Sequence, residues 1–136
     1  MELEVVEELT YTEITEGIRI SVYPEYLPEH SAPEEKLYAH SYTVMIENMS
    51  VRPVQLVSRH WYVYSAGALL TEVEGDGVVG EQPELKPGET FQYTSSSVIH
   101  DPVGNMHGAY TFSDDLGDSF EVSIPKFDLM YPELIH

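Results

Sequence analysis

The chain has 136 residues, 42% of them apolar, enough for one ordinary domain with a real core. Its 24 acidic and 6 basic residues leave a formal charge of −18, which repels phosphate backbones and anionic membrane surfaces, so neither nucleic acid nor a membrane is an expected partner. Cysteine is absent, no apolar run reaches the roughly 18 residues of a membrane span, and the acidic start Met1 to Glu8 is no signal or transit peptide; the expected compartment is the cytoplasm.

The dominant hydrophobic period is two, not 3.6. Ile18 to Tyr23 alternates apolar and polar residues and reads as the first strand. Pro24 to Glu35 carries three prolines and reads as a loop. Leu37 to Glu47 is a long second strand with Tyr38, His40, Tyr42, Val44 and Ile46 on one face. Asn48 to Arg52 is a turn, and Pro53 to Tyr64 a third strand around the single Trp61. Ser65-Ala66-Gly67 breaks it, and Leu69 to Glu74 returns as a fourth. After a glycine-rich stretch, Pro87-Gly88 reverses the chain into Thr90 to Ile99, with Phe91, Tyr93 and Ile99 on one face. Met106 to Phe112 and Ser119 to Ile124 complete the set, joined by the acidic turn Ser113 to Asp118. Residues 2–8 and the tail Asp128 to His136 are expected to be loose ends.

No segment has helical amphipathicity. The expected fold is therefore all-β, an immunoglobulin or fibronectin type III-like β-sandwich of about seven to nine strands. Trp61 in the third strand suits that architecture, and Gly108-Ala109-Tyr110 suggests a tyrosine corner. One domain is expected over residues 1–136, with its core at about 14–129.

The run Gly75-Asp76-Gly77-Val78-Val79-Gly80-Glu81-Gln82-Pro83 has the glycine spacing of a dinucleotide fingerprint. That mechanism needs a following helix whose N-terminal amides face pyrophosphate, and Pro83 and Pro87 forbid one. Backbone amides can still form an anion nest without a helix, but Asp76 and Glu81 would oppose phosphate unless a cation intervened. The plainer expectation is a connection between strands, with glycines at positive φ and Val78-Val79 tucked beneath as a plug.

Ser58-Arg59-His60-Trp61, Gly75 to Pro83, Leu85-x-Pro87-Gly88-Glu89, Tyr93-Thr94-Ser95 and Gly104-x-Met106-x-Gly108-x-Tyr110, in this order, resemble the bacterial ApaG family over roughly Ile14 to Leu129. The resemblance implies a fibronectin III or immunoglobulin-like sandwich and no established biochemical activity. It implies a genetic association with cobalt and magnesium resistance or efflux, and a gene beside a diadenosine tetraphosphate hydrolase. In eukaryotes the same domain is joined to F-box proteins and to a DNA-polymerase-interacting protein, which implies protein binding. A pyrophosphate site proposed for the family would fall on Gly75, Gly77 and Gly80.

The residues themselves offer little catalysis. None of His30, His40, His60, His100, His107 and His136 is paired at metal-ligand spacing, although His40 and His60 lie on consecutive strands. Asp76, Glu74 and Glu81, or Asp114, Asp115 and Asp118, offer a weak magnesium site; acidic turns on acidic chains are common. Ser95-Ser96-Ser97 with His100-Asp101 holds the residue types of a triad, too close in sequence for its geometry. No enzyme and no cofactor are expected. Ten tyrosines favour a protein-binding surface, and the apolar tail is expected to dock on its own domain or on a second copy as a homodimer. The two leading expectations are a binding module and a sensor of a metal–pyrophosphate or nucleotide ligand at Gly75, Gly77 and Gly80, with Asp76 or Glu81 on the cation. The first predicts a packed loop and an exposed aromatic patch; the second predicts loop amides facing an open concavity.

Overall fold

A computed structural model describes residues 10–135. Strands β1 (Tyr11–Thr15), β2 (Ile18–Tyr26), β3 (Tyr38–Asn48) and β7 (Thr90–Ile99) form one antiparallel sheet in that order. Strands β5 (Ala68–Asp76), β4 (Val54–Ser65), β8 (Val103–Asp114) and β9 (Ser119–Met130) form the other, with the two-residue β6 (Glu84–Leu85) paired to β4. The chain crosses between sheets after β3, after β6 and after β7, as a sandwich requires. Among the described residues the only helical pieces are 3-10 turns, so the all-β expectation holds.

Alternation decides which side chains meet between the sheets. Ile18, Ile20, Val22, Val44 and Ile46 come from the first sheet, and Leu56, Trp61, Val63, Tyr110, Phe112, Phe127 and Leu129 from the second; all are buried. Trp61 lies at their centre, with Tyr42 at 5.2 Å, Phe127 at 5.9 Å and Tyr110 at 6.3 Å between ring centroids. The buried Asn48 is satisfied: its Nδ2 donates to the Arg52 and Leu85 carbonyls, and its Oδ1 accepts from the Ser50 amide and hydroxyl.

Several sequence expectations change. The first strand is β1, which the pattern did not show; Glu16 and Gly17, both at positive φ, turn it into β2. The loop expected from Pro24 begins later, because β2 runs to Tyr26 with Pro24 opposite Tyr42. Beyond Val22, the last residue paired with β1, that flank of β2 is an edge, where a missing N–H is tolerated. Tyr110 makes no tyrosine corner. It sits well inside β8, and its hydroxyl bonds the Tyr93 hydroxyl in the core. The tail is not loose at Asp128 to Tyr131: β9 extends to Met130, and the Tyr131 ring packs 5.3 Å from both Tyr26 and Tyr38. Residues 2–8 lie outside the described residues.

The motif glycines of β8 are steric. A Cβ on Gly108 would stand 2.0 Å from the His60 carbonyl oxygen, and one on Gly104 would stand 2.3 Å from that of Tyr64. We expect Gly108→Ala to cost about 3 kcal/mol by forcing β8 away from β4. Urea denaturation would show this as a lowered midpoint; an unchanged midpoint would mean that the close approach is dispensable.

Candidate functional site

The glycine stretch divides into two parts. Gly75 and Asp76 end β5, opposite Arg59 and Ser58 of β4. Gly75 leaves room for the Arg59 guanidinium, since a Cβ there would lie 3.3 Å from both Nη atoms. Arg59 Nη1 donates to the Asp76 carbonyl at 2.9 Å and to the Gly77 carbonyl at 2.8 Å, pinning the chain as it leaves the strand. The Gly77 amide donates to the Val57 carbonyl at 2.8 Å, at the bulge in β4, and Gln82 Nε2 donates to the same oxygen at 2.8 Å.

Val78 to Glu81 then forms a tight reversal, with Val78 and Glu81 exchanging backbone hydrogen bonds at 2.8 Å. Val79 and Gly80 both have positive φ, 42° and 81°. Val78 is fully buried and is the expected plug. Val79 is not, being 56% exposed, because the reversal turns it outward. Gly77, at φ 64°, cannot carry a Cβ, which would fall 2.3 Å from the Glu81 carbonyl oxygen. The Gly77, Val78 and Glu81 amides are thus bonded within the fold, and no helix follows them. The Asp76 and Glu81 side chains are exposed. Among the described residues no three His, Asp or Glu side chains cluster to hold a metal ion.

The other candidates disperse. His40 and His60 are not neighbours, since His40 faces the interior from the first sheet and His60 lies on the outer side of the second. Asp114 caps its own turn by accepting from the Leu116 and Asp118 amides, and Asp115 pairs with Arg52 at 2.8 Å. Asp101 accepts from Ser65 Oγ at 2.7 Å, while His100 Nδ1 lies near the Lys36 carbonyl, so no triad forms.

Two features escaped the sequence reading. The first is a stack of four rings on the outer face of the second sheet. His60 stacks on Tyr62 at 4.7 Å, Tyr62 on His107 at 5.1 Å and His107 on Tyr64 at 5.5 Å, with planes 16–18° apart. Glu72 of β5 holds His60 Nε2 at 2.5 Å, and Glu74 lies 3.6 Å from Nδ1. The alternation His60, Tyr62, Tyr64 was visible in the sequence; the partnership with His107 was not, because it depends on the β4–β8 register.

The second is a cavity of about 290 Å³ at the lateral opening between β5 and β7. Arg59, Tyr42, Tyr93, Ser95 and Ser97 line it, with Val78 and Val79 from the glycine stretch. Burial pushes the Tyr42, Tyr93 and Tyr110 hydroxyls up against the opposing pull of Arg59, so all three are neutral at physiological pH.

Among the described residues nine antiparallel strands in two packed sheets, with the tryptophan of β4 at the centre of the core, define a fibronectin III-like sandwich. Residues 28–114 match the family profile described as the ApaG domain. The chain is 48% identical to Protein ApaG of Methylocella silvestris over 90% of its own length and 94% of the relative's. It is 47% identical to Protein ApaG of Acidithiobacillus ferrooxidans over 88% and 94%. A crystal structure of a Bordetella pertussis protein described as ApaA superposes with a TM-score of 0.82 at 41% identity, covering 91% of this chain and 98% of that one. The chain belongs to the ApaG family.

Val79 is a β-branched residue in the left-handed region, at a turn position that prefers asparagine or glycine. We expect Val79→Asn to raise stability by about 1 kcal/mol, read as an increased urea midpoint. His40 is 2% exposed, its Nε2 has no hydrogen-bond partner among the described residues, and burial lowers its pKa from 6.5 to about 4. Between those values the unfolded chain takes up a proton that the folded chain refuses. Stability is therefore full above about pH 6.5 and falls by about 3 kcal/mol as the pH drops to 4. Unfolding curves at several pH values should show a shallower acid loss in His40→Phe than in the native chain. Parallel curves would remove His40 from the acid response.

Proposed function

We propose that the protein is a non-catalytic binding module whose contact face is the outer side of β4, β5 and β8. The observation that carries this reading is the His60–Tyr62–His107–Tyr64 stack flanked by Glu72 and Glu74. Tyrosine and histidine rings offer large contact area at low entropy cost, and guanidinium groups stack on such rings while pairing with carboxylates. With a net charge of −18, the favoured partner is a protein surface rich in arginine or lysine. The bonding of the Gly77, Val78 and Glu81 amides within the fold favours this reading over an open anion nest. The module would act in the cytoplasm and bear on cobalt and magnesium tolerance through its partner, in keeping with the family's genetic association.

A second reading keeps a metal–pyrophosphate or nucleotide ligand at Gly75, Gly77 and Gly80, with Asp76 or Glu81 on the cation. It is favoured by one observation, the positive Arg59 guanidinium lying against Gly75.

The binding reading is tested in a host whose own ApaG-family gene is deleted and whose growth on cobalt is followed. The double variant Tyr62→Ala/His107→Ala should fail to restore tolerance, although its unfolding midpoint stays close to native. Thr43→Ala/Thr94→Ala, which breaks a 2.9 Å hydroxyl pair on the opposite sheet's outer face, should restore it. Full rescue by the first variant would sink the proposed face.

A further inference from the structure

Arg59 is an arginine on the inward-facing side of its strand, in phase with Trp61 and Val63. The other two arginines have carboxylates, Arg19 with Glu47 and Arg52 with Asp115. Among the described residues Arg59 has none within 4 Å, in a chain with 24 acidic residues. Its Nη1 is committed to the Asp76 and Gly77 carbonyls, while Nε and Nη2 have no hydrogen-bond acceptor among those residues. Arg59 is half-buried, and without a counter-charge its remaining N–H donors are left to water or to an anionic ligand.

The space beside it has a sequence cause. On β7 the inward positions run Phe91, Tyr93, Ser95, Ser97, Ile99, and the two serines leave unfilled the volume that larger side chains would occupy. The resulting cavity carries an apolar wall of Trp61, Val63, Val78 and Met106. Its polar wall is Arg59 with the hydroxyls of Tyr42, Tyr93, Ser95 and Ser97. Exposed Thr71 and Val79 stand at its mouth.

We propose that this cavity binds a small organic monocarboxylate with a compact apolar body, its carboxylate on Arg59 Nε and Nη2 and its body against Trp61 and Val63. A planar guanidinium with free N–H groups on Nε and Nη2 matches a carboxylate, and the half-buried Ser97 hydroxyl stands in the same wall. The ligand carries a single charge for two reasons. Two of the guanidinium's five N–H donors are already taken by the chain, and the surrounding field of −18 opposes a di- or polyanion. The cavity also lies near the lower limit of small-molecule sites, which suits a body about the size of one ring. This site is separate from the ring stack, which lies on the other face of β4.

The test uses the full chain at fixed ionic strength, followed by amide NMR and calorimetry, with phenylacetate, its neutral isostere phenylacetamide, and magnesium pyrophosphate as probes. Phenylacetate should bind saturably and move the signals of Thr71, Ser95, Ser96 and Ser97. Phenylacetamide should bind about tenfold more weakly or worse, and Arg59→Gln should weaken phenylacetate by a similar factor. Ser97→Leu fills the space without touching Arg59; it should abolish binding while leaving the fold intact. Equal affinity for acid and amide, no saturation by about 10 mM, or retained binding in Ser97→Leu would overturn the proposal. So would tighter binding of magnesium pyrophosphate at the same residues, and that result would move the site to the phosphate reading.

Discussion

Successive side chains of a strand point to opposite faces, and in this protein β4 carries that constraint for the whole molecule. It is an inner strand of its sheet, paired to β5, β6 and β8. One phase of its alternation, Arg59, Trp61 and Val63, faces the core and the cavity; the other, His60, Tyr62 and Tyr64, makes most of the outer ring stack. A slip of one residue would turn Trp61 out of the aromatic cluster that joins the two sheets and push a carboxylate-bound histidine inward. Register is thus held by burial on one side and by ring stacking on the other.

The interior is graded along that strand. Around Trp61 it is closed, with Tyr42 reaching from one sheet and Tyr110 and Phe127 from the other. Toward the edge formed by β5 and β7 it becomes polar: the Tyr93 and Tyr110 hydroxyls bond each other, Ser95 approaches the Tyr42 hydroxyl, and Arg59 reaches past them to the departing chain. Buried polar groups of this kind tolerate little displacement, because each is costly when unpaired. Packing at the tryptophan and hydrogen bonding at the edge are two parts of one requirement, that the sheets meet at a fixed spacing.

Much of the fold could be read from alternation alone. The face Tyr38, His40, Tyr42, Val44, Ile46 is buried as its period requires, and Trp61 occupies the core position that such sandwiches reserve for it. What could not be read depends on contacts between distant residues. β1 is short and mostly exposed, so it has no apolar signature; only its pairing with β2 makes it a strand. Phe127 lay past the expected last strand and Leu129 in the expected tail, because Pro125 and Lys126 interrupt the pattern, yet pairing with β8 continues through Met130 after a register shift. Arg59 resisted for a chemical reason. Its charge argues for solvent, and only the loop carbonyls and the neighbouring serines explain an inward position.

The glycine spacing shows how a familiar pattern can arise from unrelated needs. Gly75 lets the Arg59 guanidinium lie close, since a Cβ there would press on it at 3.3 Å, and Gly77 is glycine because its Cβ would strike the Glu81 carbonyl. Gly80 closes a reversal that needs positive φ at both central residues. Each reason is local, and none refers to a ligand. The three positions are nevertheless coupled, since the Arg59 that lies against Gly75 also holds the carbonyl of Gly77, while Val78 seals the core between Gly77 and Gly80. The stretch therefore serves as a brace that carries β5 across to β6 and fixes Arg59 by one nitrogen. That leaves the rest of the guanidinium beside the cavity, so the chemistry this region can offer lies with the arginine more than with the glycines that surround it.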